Sequence, residues 1–399
     1  MIPLRDALAA LLDASLAPPG REELTLTQAA GRILAEDVRA AQAVPPFDNS
    51  AMDGYALRVS DAQPGACLPV RGVFPAGGEP GRLEEGCAAR IFTGGPLPDG
   101  ADCVVMQEDC QLQDGRLRVG TAPQPGQYLR RRGEDIAEGS VILRRGRRLR
   151  PQDIGLLASV GRARVPVYRH LEVALLVTGD ELREPGSGPL SPGQIYDSSG
   201  ALLWALLQRC GVSVQSPLRV QDSPAEIESA LGEAAEKADV ILSTGGVSVG
   251  EADHVRAAVE RLGQLSLWRV AIKPGKPLAF GHVADTPFLG LPGNPASVFV
   301  TFALLARPFL MHCQGCREEE LPALPVRAAF AAPAGTREEY LRVSLRSTDG
   351  VIEALPSGNQ SSGALSAVSA AQALAVLAPG REIRPGDTVP VILLDALLY

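Results

Sequence analysis

The sequence predicts a multidomain α/β protein: a three-layer α/β/α domain with a mainly parallel sheet, a β-rich insertion domain, a small helical domain and a C-terminal all-β domain. Three observations carry that expectation. From His170 onward, short and nearly all-apolar runs alternate with stretches of helical periodicity, as strands buried on both faces and joined by helices do. Before that region, Gly and Pro recur every few residues between short β-type runs. The length, 399 residues, exceeds what a single hydrophobic core supports, so roughly two to four domains are expected.

Taken in order, "LRDALAALLDASL" and "TLTQAAGRILAEDV" read as two helices separated by "APPGREE", and "RPQDIGLLASVG" reads as a third. Residues 1–40 and 139–168 form the helical region. Residues 41–138 form the β-rich insertion, with strands in "ARIFTGG", "DCVVMQE" and "RLRVG". In the α/β/α domain, residues 169–317, "EVALLVTGDE" is a buried strand, "SSGALLWALLQRCG" a helix and "VSVQSPLRV" a strand. "SPAEIESALGEAAEKA" is a helix opened by a capping box, Ser223 with Glu226 three residues on. "DVILSTGG", "SLWRVAIK" and "PFLGLPG" are further strands, "HVRAAVERLG" a helix, and another helix starts at Asn294. After the acidic "REEELPALP", residues 318–399 hold five β-type runs, a barrel-like domain of roughly eighty residues.

A formal charge of −8 argues against a protein that coats nucleic acid or an anionic membrane. Eight arginines between Arg130 and Arg150 are the local exception and read as a solvated surface. Seven cysteines form no disulfide framework, and the N-terminal segment lacks the layout of a secretory signal, so cytoplasm is the expected compartment. "HCQGC", residues 312–316, has no second cysteine pair at zinc-finger spacing and reads as packing ahead of a zinc or redox role. No run of bilayer-spanning length is expected.

In a parallel sheet, ligands sit beyond the carboxyl ends of the strands. Four loops there carry functional chemistry: "TGDE" (178–181), "STGGVSVGEAD" (243–253), "KPGKP" (273–277) and "LPGNPAS" (291–297). Gly245, Gly246 and Gly250 would let amides approach an anion, with hydroxyls from Ser243, Thr244 and Ser248; a plain turn is the competing reading. Glu181, Asp222 of "QDSP" and Asp253 are acids at three loop ends. Such acids repel a phosphate unless Mg²⁺ lies between them, whereas each taken singly reads as a helix cap. Lys273 and Lys276, in a turn stiffened by Pro274 and Pro277, point to a second anion.

"FDNSAMDGYA", "FTGGPLPDGAD", "RRRGEDI", "TGDEL", "GQIYDSSG", "STGGVSVGEAD", "AIKPGKPLAFG" and "LPGNPAS", in this order, resemble the molybdopterin molybdenumtransferase family (MoeA type), a relative of the gephyrin C-terminal domain. The resemblance covers essentially the whole chain. It implies a late step of molybdenum-cofactor synthesis: adenylylated molybdopterin is cleaved with Mg²⁺ to release AMP, and molybdate passes to the dithiolene. Family positions fall on Asp53, Thr93, Arg130, Asp135, Glu181, Asp222 and Asp253 as catalytic, the last three also holding the metal. Binding positions are Thr178, Gly179, Asp197, Ser243, Gly245, Gly246, Ser248, Gly250, Lys273, Lys276, Pro292, Asn294, Ser297, Arg342 and Ser362, with Ser361 the alternative register. The resemblance also implies a homodimer in which the β-rich domain of one copy faces the α/β and terminal domains of the other, with the helical region supplying dimer contact. Molybdopterin adenylyltransferase and molybdoenzyme maturation proteins are the implied partners, with no nucleic acid and no membrane. Two alternatives stand beside it, an adenylyltransferase and a gephyrin-like scaffold without enzymatic activity.

Overall fold

The computed structural model describes residues 1–63, 65–245, 254–317 and 323–398. The first helix, Leu4–Asp13, buries Ala7 and Leu11 against the long apolar helix further along the chain. The expected second helix is only one turn, Leu26–Ala29. Beyond it the backbone is extended and pairs elsewhere: the Leu34 N–H donates to Arg147 O, and the Tyr168 N–H to Ile33 O. Ile33, Leu34 and Ala35 are buried, so cross-chain pairing satisfies their backbone and overrides helix propensity. Arg21–Thr25 likewise pairs antiparallel with Arg164–Tyr168, so the helical region also contains strands. The third helix forms as expected at Pro151–Ser159, with Asp153 accepting from the Arg150 N–H and Pro151 opening the first turn.

The β-rich region is a six-stranded sheet in the order Cys103–Met106, Gly54–Leu57, Ala88–Ile91, Cys67–Phe74, Arg116–Val119, Cys110–Gln113. Tyr55, Leu57, Ala88, Val105 and Leu117 form its core.

The central sheet runs Ser213–Val214 and Leu218–Val220 at one edge, then Glu172–Thr178, Val240–Thr244, Thr286–Leu291, Pro277–Val283 and Gly263–Arg269. All are parallel except Pro277–Val283, which runs against both neighbours. "VSVQSPLRV" is therefore two strand fragments on one partner, separated at Pro217, which has no N–H to give a ladder. Side-chain alternation along Glu172–Thr178 builds the layers. Val173, Leu175 and Val177 join Leu203, Leu207 and Phe299 on one face, and Leu176 joins Ile227, Leu231 and Val259 on the other.

The helix starting after Asn294 runs unbroken over Pro295–Cys313, 19 residues, with a π-type turn at Phe302–Ala306. It is long and apolar enough to span a bilayer, contrary to the expectation from sequence, yet 83% of that stretch is buried within the protein. It is the central core helix. The C-terminal strands close into a barrel because the eleven-residue strand Glu338–Thr348 pairs with both Val351–Pro356 and Ala373–Leu377. Leu324–Ala328 and Thr388–Leu393 complete the circuit.

The arginine-rich segment is taken up by the fold. Arg131 pairs with Asp48, Arg132 with Glu138, and Arg147 and Arg150 share Asp153. Arg145 donates to the Tyr168 hydroxyl and Arg148 to Arg209 O. In "HCQGC", Cys313 and Cys316 are both buried in the apolar cluster around the core helix. Burial pushes the Cys313 thiol up to about 11 and the Cys103 thiol up to about 12, whereas Cys67 is exposed. Iodoacetamide at pH 8 should therefore modify Cys67 in the native protein and leave Cys103 and Cys313 unmodified until denaturant is added, as read by peptide mass spectrometry.

Candidate functional site

Three parallel strands, Glu172–Thr178, Val240–Thr244 and Thr286–Leu291, end at the same edge of the central sheet. The turn between Gly263–Arg269 and Pro277–Val283 lies at that edge too. The fold thus brings together residues 178–181, 243–245, 273–276 and 292–297. Asp222 joins them because its strand pairs with Glu172–Thr178 up to the Thr178↔Val220 register.

At the acidic end, the Thr178 hydroxyl donates to Asp222 Oδ1 at 3.5 Å, and the Asp222 N–H donates to Asp180 Oδ1 at 3.3 Å. The Glu181 carboxylate folds back over Gly179. Arg219, on the adjoining strand, turns to Glu184 at 3.1 Å and Asp197 at 3.5 Å. Among the described residues no lysine or arginine pairs with Asp180, Glu181 or Asp222, and no cluster of three metal-ligating side chains forms. Asp197 is fully buried and caps the Ser198–Arg209 helix, its Oδ1 accepting from the Gly200 N–H at 2.7 Å.

Ser243 is fully buried, and its hydroxyl has no hydrogen-bond partner among the described residues. The Thr244 hydroxyl donates to Pro292 O and the Gly245 N–H to Leu291 O, so that amide is already occupied. Ser199 Oγ donates to Gly293 O. These bonds fasten residues 244–245 and 292–294 to one another. Gly246, Ser248, Gly250, Glu251 and Asp253 lie outside the described residues.

At the basic end, Gly275 has φ +104, and a Cβ there would stand 2.3 Å from Thr301 Oγ1. Only glycine lets this turn rest on the core helix. Lys276 is exposed, and Lys273 Nζ lies 2.9 Å from Glu339 Oε1 on the barrel. Ser297 is buried in the first turn of the core helix, after Asn294 at the cap position. Arg342 is fully buried. Its Nη1 donates to Tyr340 O at 3.1 Å and its Nη2 to Ser361 O at 3.2 Å, while Nε has no partner among the described residues. The Ala296 N–H donates to Ser362 O, so both candidate serines reach the site through backbone carbonyls. Burial pushes the Arg342 pKa down, and the Glu339 charge opposes that shift.

Asp53 and Thr93 lie in the loops at the edge of the β-rich sheet, just before Gly54–Leu57 and just after Ala88–Ile91. Asp53 Oδ1 accepts from the Thr93 N–H at 2.7 Å and the Thr93 hydroxyl at 2.8 Å, and these bonds, the backbone one first, hold the carboxyl below its ordinary range. Arg90 props the pair: it stacks over the Tyr55 and Phe92 rings, donates to Gly54 O, and binds Gln107, whose N–H meets Asp53 O. Arg130 and Asp135 are exposed; Arg130 pairs by backbone with Asn49, and the Asp135 N–H donates to Val44 O. Among the described residues, no hydrogen bond or ion pair joins Asp53, Thr93, Arg130 or Asp135 to the central sheet edge. Phe47, Met52 and Phe92 stand exposed around Asp53. Arg90, Gln107, Thr301 and Glu339 escape the sequence reading, since only the registers place them beside functional residues.

Residues 2–161 match the MoeA N-terminal region (domain I and II), 174–312 a probable molybdopterin binding domain, and 325–394 the MoeA C-terminal region (domain IV). The chain is 44% identical over 325 residues to a molybdopterin molybdenumtransferase of Haemophilus influenzae, covering 81% of this chain and 80% of that one. It is 38% identical over 385 residues to one from a Nostoc species, covering 93% and 88%. The crystal structure of a molybdopterin biosynthesis MoeA protein from Pyrococcus horikoshii OT3 is 29% identical, with a TM-score of 0.83 over 98% of this chain and all of that one.

Two outcomes follow from the β-rich sheet. Thr93→Val should raise the Asp53 pKa toward the usual carboxylate value, followed by carboxyl ¹³C titration. The folded carboxyl titrates below its unfolded counterpart, so the pair's contribution is present above the unfolded pKa and fades as pH falls through the folded one. Gly54→Ala would place a Cβ 1.8 Å from Val105 O; it should destabilise the protein by roughly 1–3 kcal/mol in thermal melts, as overpacking does.

Proposed function

The chain belongs to the molybdopterin molybdenumtransferase family of MoeA type, and on that premise we propose how its residues serve the family reaction. The protein is a transferase of molybdenum-cofactor biosynthesis that inserts molybdenum into molybdopterin. Its substrates in this reading are adenylylated molybdopterin and molybdate, with AMP released. The observation that carries the assignment is the single sheet edge, which holds unneutralised carboxylates at one end and Lys273, Lys276, Ser297 and Arg342 at the other.

The acidic end fits Mg²⁺. Glu181 and Asp222 are hard oxygen donors whose charge no lysine or arginine offsets among the described residues, and the Thr178 hydroxyl orients Asp222. Asp253 is the third proposed ligand. The ion would neutralise phosphate charge and polarise the anhydride there. Gly179 lets the Glu181 carboxylate fold close to the backbone, and Asp197 fixes the start of the helix bordering the pocket. Pro292 and Asn294, tied to Thr244 and to the core helix, shape the floor between the two ends.

At the basic end, a tetrahedral oxyanion takes the ammonium groups of Lys273 and Lys276, the Ser297 hydroxyl at the core helix N-terminus, and the Arg342 guanidinium, whose Nε is unpartnered. Asp53, Thr93, Arg130 and Asp135 act from a second copy of the chain. The exposed Phe47, Met52 and Phe92 beside them support an apolar contact at that surface. The functional unit is thus a homodimer, working in the cytoplasm.

Purified protein given adenylylated molybdopterin, molybdate and Mg²⁺ should release AMP, measured chromatographically; no release overturns the reading. Asp222→Asn and Glu181→Gln should each slow AMP release by roughly 10²–10³-fold, the usual scale for losing one electrostatic stabiliser, without shifting the thermal midpoint.

A further inference from the structure

We propose that Glu339 is the resident counter-ion of the oxyanion subsite, holding Lys273 until the oxyanion displaces it and thereby limiting how tightly the oxyanion binds. The inference rests on the assignment of Lys273 and Arg342 to that subsite.

The geometry leaves Lys273 little freedom to ignore Glu339. Ile272–Lys273 forms a short parallel ladder with the barrel strand, Lys273 standing opposite Glu339. The Glu338 N–H donates to Ala271 O, and Arg337 Nη1 donates to Ile272 O at 2.8 Å, so the backbones on both sides are fixed. The neighbouring Glu338 is taken by the Tyr340 hydroxyl, which leaves Glu339 as the carboxylate that meets the lysine at 2.9 Å.

The same strand carries a second cation. Arg342, three residues along the same strand, is fully buried and hydrogen-bonds only to carbonyl oxygens, with no carboxylate in ion-pair contact among the described residues. The Glu339 charge is the one that favours its protonated form. The carboxylate, its side chain only 17% exposed, is thus in place on Lys273 before any oxyanion arrives.

An incoming dianion must take over the Lys273 ammonium while meeting the negative charge of Glu339. Both effects weaken ground-state binding. Once the oxyanion leaves, Glu339 recovers the lysine, so the subsite resets without a rise in net positive charge. Binding that is weaker in the ground state leaves more of the available interaction for the transition state. Removing the carboxylate should lower KM for molybdate without raising kcat. Lys273 is 52% exposed, so water re-solvates it when Glu339 is neutralised and the loss of the pair itself has little effect.

The repulsion scales with ligand charge, which separates this role from a merely structural one. Molybdate, a dianion, should bind Glu339→Gln about tenfold more tightly than wild type, and perrhenate, a tetrahedral monoanion, about threefold more tightly. Glu339→Asp, which keeps the charge, should stay close to wild type, and adding Lys273→Met to Glu339→Gln should erase most of the gain. Isothermal titration of each protein with each oxyanion, alongside its thermal melt, reads these values. Unchanged or weaker molybdate binding by a folded Glu339→Gln protein, or equal gains for both oxyanions, overturns the proposal. Molybdate binding by neither wild type nor Glu339→Gln shows that the subsite itself is misassigned, and the proposal falls with it.

Discussion

The pairing of Ile272–Lys273 with Glu338 and Glu339 is the contact on which the rest of the site depends. It joins the central sheet to the barrel at the one edge where parallel strands end. Two residues of ladder are weak alone, but apolar packing backs them: Tyr340, Leu374 and Leu394 of the barrel share one buried cluster with Leu11, Phe302 and Phe309. That cluster keeps the two domains from rolling on each other. The polar bonds then set fine position, Ala296 N–H to Ser362 O from one side and Arg342 Nη2 to Ser361 O from the other. Without this seam, Lys273 and Ser297 would belong to one domain and Arg342 to another.

The same seam explains how a guanidinium tolerates full burial. Desolvation disfavours a buried cation, and carbonyl dipoles from Tyr340 and Ser361 compensate only in part, leaving Nε unbonded. A buried arginine so placed is held in position by the fold itself, with no long side chain left to order. The acidic end inverts the sign. There Asp222 takes a hydroxyl from Thr178 and gives its amide to Asp180, and among the described residues no lysine or arginine pairs with either acid or with Glu181.

Much of this was legible in the sequence where a physical pattern is short-range. The all-apolar run ending at Thr178 marks a doubly buried strand, and Ser223 with Glu226 marks a helix start that forms as read, the Ser223 hydroxyl accepting from the Glu226 N–H. Failures occur where partners are distant. "TLTQAAGRILAEDV" has helical periodicity, but the amides of residues 34–35 find carbonyls at 147 and 166 instead. The strand Pro277–Val283 escaped because its proline-bounded start reads as loop, although the loop before it was correctly placed at the sheet edge. Arg342 was legible from its motif, whereas Glu339 was not: in "REEY" two adjacent acids look like a solvated face, and only the ladder opposite Lys273 distinguishes them.

The lateral order of the strands sets what can bind. Between Glu172–Thr178, which delivers Glu181, and Pro277–Val283, which begins just after Lys276, stand Val240–Thr244 and Thr286–Leu291. At the usual spacing between strands, the acidic and basic ends are separated by roughly 14 Å. No single atom or small ion spans that distance, so Glu181 and Lys276 cannot meet on one ion. Between the two ends lie residues 243–245 and 292–294. Thr244 and Gly245 lock those middle loops to one another, and Ser199 ties Gly293 to the Ser198–Arg209 helix. A floor tied together in this way fixes the distance between the acidic and the basic end, so the two keep their spacing without any movement of the sheet.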